Sequence, residues 1–142
     1  MIRISTIIAC RNEEANLHET LFYLESQSTK PTEVVIVDDA STDNTLEIIR
    51  KFAERNGWTY HSREKNDERY SSIPNALKIA TSMIKSDFDY LMILDGDTIL
   101  ESQYIEKLIK KMEEDPSLGI VGGSLKITTE NGVHNYIDDS KV

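Results

Sequence analysis

The feature that most constrains the fold is a repeated pairing: a short run rich in β-branched residues, closed by polar or acidic residues, then a segment of helical period. The first run is Ile4 to Cys10, followed by Arg11 and Asn12 and a helix expected from about Glu13 to Ser26, with Leu17, Leu21 and Leu24 on one face. Asn12 reads as its N-cap, and Glu13 and Glu14 suit the helix dipole. The second run, VVIVDD from Val34 to Asp39, follows the breaker Pro31. It leads through ASTDNT, with Ser41 or Thr42 as cap, into a helix whose stripe is Ile49, Phe52 and Ala53. Gly57 ends that helix, and Trp58 to Ser62 reads as a short strand.

The polar stretch SREKNDERYSS reads as a surface loop. Ile73, Ala76, Leu77, Ala80 and Ile84 then recur at spacings of three and four, predicting a helix from about Ser72 to Lys85 with Pro74 in its first turn. A strand over Tyr90 to Leu94 precedes a helix from about Ser102 to Glu114, closed by Pro116. Gly119 to Ile127 reads as a fifth strand, and the tail after it has no usable period. Strands alternating with helices imply parallel pairing through right-handed crossovers and an α/β sandwich.

A chain of 142 residues suits a single domain over 1–142. Its net charge of -9 argues against a partner that tracks nucleic-acid phosphates, which needs a basic face. Acidity leaves room for a phosphorylated small ligand, because a divalent cation held by a few carboxylates inverts the local field. Cys10, the lone cysteine, sits among Ile7, Ile8 and Ala9 and reads as a buried small hydrophobe. The N-terminus lacks the long apolar stretch of a signal peptide and no run approaches the ~20 apolar residues of a membrane span, so a cytoplasmic location is expected.

The polar groups fall at strand ends. Arg11, Asn12 and Glu13 follow the first strand, Asp38 and Asp39 close the second, and Asp95 and Asp97 close the fourth. Open parallel sheets bind ligands beyond the carboxyl ends of their strands. Several carboxylates converging there repel one another unless a cation enters. Oxygen ligands imply magnesium or manganese, which takes one or two protein carboxylates plus ligand phosphates. In Asp95-Gly96-Asp97, residues two apart share a side and the glycine allows close approach. A plainer reading stands beside this one: Asp-Gly after a strand is often only a turn, and ASTDNT is well explained as a capping cluster. His18, His61 and His134 have no metal spacing, and no glycine-rich phosphate loop is present.

In order, STIIACRNEEANL, VVIVDDASTDNTLEII and YLMILDGDTIL resemble the family 2 glycosyltransferases, enzymes with the GT-A, nucleotide-diphospho-sugar transferase fold. The resemblance runs from about Ile4 to Ile127 and implies a Rossmann-like three-layer sandwich with a mostly parallel sheet. It implies that Ala9, Arg11 and Glu13 line the nucleotide pocket, Arg11 standing where the family carries an aromatic residue. It implies that Asp39 accepts a hydrogen bond from the base, usually uracil, while Asp38 supports the turn. Asp95 is then near the ribose or the metal shell, and Asp97 ligates the Mn2+ or Mg2+ that bridges the diphosphate. The implied reaction is metal-dependent and inverting, from a nucleotide-diphospho-sugar, a UDP-sugar by preference, to an acceptor such as a polysaccharide, lipid or protein glycan.

Two departures qualify the resemblance. The loop before the third helix, ERYSSIPNAL, keeps Asn75 but lacks the family's glycine, leaving Arg69 or Lys65 for the diphosphate. The family's general base lies well downstream of its Asp-x-Asp, and Asp138 and Asp139 come too early to match, so the base is expected beyond residue 142. The chain reads as the donor half of such an enzyme, truncated at the C-terminus and membrane-associated if a longer native protein exists. Three other readings compete: a haloacid-dehalogenase-type phosphatase, whose Asp-x-Asp also ends a buried strand; a response-regulator receiver, whose acid pair follows the first strand; and a non-catalytic nucleotide-sugar-binding module.

Overall fold

A computed structural model describes residues 1–64, 73–129 and 132–136. They group into two compact units, Met1–Ser102 and Gln103–Val142. The first holds β1 (Ile4–Cys10), α1 (Leu17–Glu25), β2 (Glu33–Asp38), α2 (Thr45–Asn56), β3 (Thr59–Ser62), α3 (Ile73–Ser82) and β4 (Tyr90–Asp95). Its four strands are parallel, in the order β3-β2-β1-β4.

A parallel sheet is covered on both faces, and its inner strands are correspondingly apolar throughout. All seven residues of β1 are buried, as is β2 from Val34 onward. Ile7, Ala9, Val35 and Val37 form a cluster with Ala76 and Ala80 of α3. Side chains alternate along a strand, so Ile8 and Ile36 turn to the opposite face. Right-handed crossovers place α1 and α2 there, with Leu17, Leu21, Leu24, Ile49 and Phe52 buried. The result is the three-layer α/β sandwich that the alternating pattern predicts. It excludes the receiver, whose doubly wound order places β1 between β2 and β3.

Three local expectations are corrected. Asn12 is not the cap of α1: it has φ 54°, in the left-handed region, and α1 begins only at Leu17. Nor do Ser41 or Thr42 cap α2, which begins at Thr45. Asn44 holds the cap position without a side-chain cap bond, and the residue before it, Asp43, accepts through Oδ1 from the Thr45 amide at 3.0 Å and hydroxyl at 2.5 Å. Gly57 does end α2, at φ 69°.

The third correction lies in Gln103–Val142, which holds α4 (Tyr104–Glu114), β5 (Leu125–Thr129) and β6 (Gly132–Tyr136). The expected fifth strand survives only from Leu125, and it pairs antiparallel with β6 in a separate two-stranded sheet. The few residues between Thr129 and Gly132 leave no room for the helical crossover that a parallel partner requires.

The register of β4 against β1 is fixed at their amino ends. The Arg3 carbonyl accepts from the Asp89 and Tyr90 amides at 2.9 and 3.2 Å. In return Asp89 accepts from the Arg3 amide at 2.8 Å and from its guanidinium at 2.9 and 3.3 Å. The guanidinium and amide bonds from Arg3 hold the Asp89 carboxyl down at about 2, below the ordinary ~3.9. A depressed carboxyl stabilises the fold above its ordinary range and loses that contribution as pH falls toward the folded value. Carboxyl-carbon NMR is expected to show Asp89 titrating near 2 in the wild type, and Arg3→Ala is expected to return it toward ~4.

Candidate functional site

The chain builds β1, β2 and β3 outward in one direction, then returns to lay β4 on the other side of β1. That reversal makes the carboxyl ends of β1 and β4 the switch point at which open α/β sheets take ligands. The ladder brings the ends level: Ala9 pairs with Asp95, Cys10 with Asp38 and Asp38 with Ser62.

The exits of β1 and β2 are stitched to each other. Asn12 and Ala40 both turn through the left-handed region, at φ 54° and 57°, conformations that persist in non-glycine residues only where surrounding bonds hold them. The Asn12 amide donates to Ser41 Oγ at 2.9 Å, and Asn12 Oδ1 accepts from the Thr42 amide at 2.8 Å. The Glu13 amide donates to Thr45 Oγ1 at 2.8 Å, and the Glu14 amide to Asp43 Oδ2 at 3.2 Å. Glu14 Oε2 accepts in turn from the Asn44 amide at 2.9 Å. Burial works against the charged form of Asp43, but the bonds from Thr45 and Glu14 outweigh it and hold that carboxyl below the usual range.

The two acids that end β2 are both buried. Asp38 closes the turn, accepting from the Ser41 amide at 3.2 Å and Ser62 Oγ at 2.8 Å. Asp39 donates its amide to the Cys10 carbonyl at 2.9 Å, and its carboxylate is ion-paired with Arg63 just beyond β3. Breaking such a buried pair costs ~3–5 kcal/mol, more than the ~1.5–3 kcal/mol that one hydrogen bond to a charged group returns. Asp39 is therefore half of a pair that a neutral ligand group cannot displace.

The β4 exit is built differently. Asp95 and Asp97 are exposed, with Gly96 buried between them. A Cβ on Gly96 would lie 2.9 Å from Cys10 Cβ and 3.3 Å from Glu13 Cγ, so glycine is what allows the β4 exit to approach the β1 exit. From behind, Thr20 Oγ1 donates to the Gly96 carbonyl at 2.9 Å, and Gln27 Nε2 to the Glu101 carbonyl at 2.7 Å. The backbone is held inward while the two carboxylates face out.

No group of three metal-ligating side chains exists among the described residues. A cage made by protein alone is thus not what Asp95 and Asp97 fit. Two outward carboxylates do fit magnesium or manganese, which complete their shells with water and ligand phosphates. Arg11 and Glu13 are half-buried at the β1 exit. Ala9 is buried in the cluster against α3, leaving its backbone to the rim. Arg69 and Lys65 lie outside the described residues, as do Asp138 and Asp139.

Sequence reading missed Thr20, Gln27 and Arg63. The signal for Thr20 was present, since it shares the helical face of Leu17, Leu21 and Leu24, where a polar residue needs a buried partner; Gln27 lies just past the end of α1. Arg63 follows a strand end, as the acids do. Cys10 is buried as expected, and burial, followed by the nearby Asp38, pushes its thiol up to about 12.

The family model for "Glycosyl transferase family 2" matches residues 5–138. The poly-beta-1,6-N-acetyl-D-glucosamine synthase of Staphylococcus aureus (strain COL) is 29% identical over 130 residues, covering 92% of this chain and 30% of the synthase. The chain thus spans under a third of that relative. The mannosyltransferase PcManGT of Pyrobaculum calidifontis, solved with GDP-Man and Mn2+, is 27% identical with a TM-score of 0.64 over 82% of this chain and 34% of its own. Staphylococcus aureus TarS, solved with UDP-GlcNAc, shares the fold, with a TM-score of 0.62 and 21% identity over 92% of this chain and 42% of its own.

Gly96→Ala is expected to lower stability by ~1–3 kcal/mol through overpacking against Cys10, as measured by urea denaturation. Cys10 is expected to resist iodoacetamide at pH 8 in the folded protein and to react fully in denaturant; rapid labelling of the folded chain, followed by mass spectrometry, would contradict its burial.

Proposed function

Because the chain belongs to glycosyltransferase family 2, we propose that the carboxyl rim of Met1–Ser102 binds a nucleoside-diphosphate sugar, a UDP-sugar by preference, as donor for inverting transfer to a polysaccharide, lipid or protein glycan. The observation that carries this reading is the pair Asp95 and Asp97, held outward at the switch point with no protein partner among the described residues.

In this reading Asp97, with Asp95 beside it, holds Mn2+ or Mg2+ against the diphosphate. When bound there, such an ion would supply electrophilic stabilisation of a departing nucleoside diphosphate. Gly96 keeps the two carboxylates close to the β1 exit, where Arg11 and Glu13 border the nucleoside and Asp39 serves the base. The TarS complex with UDP-GlcNAc supports a uridine donor, and the N-acetyl-D-glucosamine in the synthase's name agrees with the sugar of that complex. The PcManGT complex with Mn2+ supports the metal.

Calorimetry with manganese across UDP, GDP and dTDP tests the reading. UDP is expected to bind, to lose binding on chelation, and to weaken by about tenfold or more in Asp97→Asn, the size of one lost contact to a charged group. Failure of the folded chain to bind any of the three would sink it.

A further inference from the structure

We propose that Thr20 is a positioning residue for the outward acids of the β4 exit: its hydroxyl fixes the Gly96–Asp97 peptide, and with it the direction in which Asp97 presents its carboxylate. The proposal rests on the metal and nucleotide reading above and adds a residue of α1 that lies outside the three stretches carrying the family resemblance. Thr20 is 0% exposed. Its hydroxyl has one proton to give. The Gly96 carbonyl stands at 2.9 Å and the other acceptor in reach, the Asn16 carbonyl one turn back, at 3.5 Å, so the proton goes to Gly96.

Gly96 itself makes an outside restraint necessary. Packing against Cys10 and Glu13 admits no Cβ there, and a residue without a Cβ has the widest choice of backbone angles. The residue directly ahead of Asp97 is thus the one least able to hold its own conformation. In a trans peptide the C=O and N–H point opposite ways. Turning the Gly96 carbonyl into α1 therefore turns the Asp97 amide away from it and sets the Cα from which the carboxylate projects. Without the hydroxyl this buried carbonyl is left unpartnered, which is costly, and rotation of the peptide toward water relieves it. The β1–β4 ladder ends at Asp95, so nothing in that ladder opposes a rotation beyond it. Magnesium demands near-ideal octahedral geometry, and groups that orient metal ligands from behind carry about 10–100-fold of metal affinity.

Equilibrium dialysis of labelled UDP across a manganese series gives the manganese concentration for half-maximal binding, in wild type, Thr20→Val, Thr20→Ser and Thr32→Val. Thr32 is the control: its hydroxyl also bridges to backbone, accepting from the Ile4 amide at 2.6 Å and donating to the Ile4 carbonyl at 3.0 Å, but at the amino end of β1. Thr20→Val is expected to raise the manganese midpoint by about tenfold or more, with binding restored at saturating manganese, the mark of lost metal affinity rather than lost nucleotide contact. Thr20→Ser is expected to recover most of the shift, and Thr32→Val to lower the urea midpoint while leaving the manganese midpoint in place. An unchanged manganese midpoint in folded Thr20→Val overturns the proposal, as does a loss that saturating manganese does not repair. An equal rise in Thr20→Ser overturns it in favour of packing by the methyl group, and an equal rise in Thr32→Val in favour of general loosening. If Thr20→Val does not fold, Thr20→Ala, which sets no second methyl against the carbonyl, is read in the same way. Absence of manganese-dependent UDP binding by wild type fells the metal reading and this inference together, whereas intact wild-type binding with a silent Thr20→Val fells this inference alone.

Discussion

Everything at the rim depends on how closely β4 can lie against β1 where the two strands end. The ladder beginning at Arg3 and Asp89 sets the register, and that register puts Asp95 level with Ala9. One position further, only a residue without a side chain lets the strand continue past Cys10 and Glu13. The Thr20 hydroxyl then draws the Gly96 carbonyl inward. With that carbonyl turned to α1, the carboxylates on either side of it are the groups left to meet solvent.

The acids at the strand ends therefore divide by environment rather than by type. Asp38 and Asp39 are buried, and each is engaged by donors of neighbouring segments. They hold the loops and set the shape of the rim. Asp95 and Asp97 stay exposed and carry charge that the described residues do not neutralise. A dry pair at the end of β2 and a wet pair at the end of β4, on either side of β1, give the rim a rigid part and a solvent-facing one, which one uniformly exposed acidic cluster would not.

Much of this was legible in the residues. Apolar runs set β1, β2 and β4 to within a residue; for β1 and β2 this is because a buried parallel strand has few alternatives to β-branched side chains, whereas β4 is an edge strand that stays largely exposed. Gly57 was readable as a helix end for the same local reason. The caps were not: Asn12 and Ser41 have cap-forming side chains, and the sequence carries no sign that each would serve the other's loop some thirty residues away. The antiparallel β5–β6 pairing was not read because Gly119 to Ile127 looked like one longer strand and the tail that supplies β6 has no usable period. At the site, the outward acids were readable from spacing and order, whereas the partner of Asp39 was a long-range contact that no local pattern encodes.

The cross-stitching of the β1 and β2 exits has one more consequence. Folds that hold phosphate on glycine-rich turns offer it bare amides at a helix start. Here the amides of Asn12, Glu13 and Glu14, and those of Thr42 and Asn44, already donate to side chains of the opposite loop, and that of Thr45 donates to Asp43 of its own loop. These loop amides, ahead of α1 and at the entry to α2, are thereby already engaged by protein acceptors. An anion brought to this rim would therefore meet side chains rather than those loop amides.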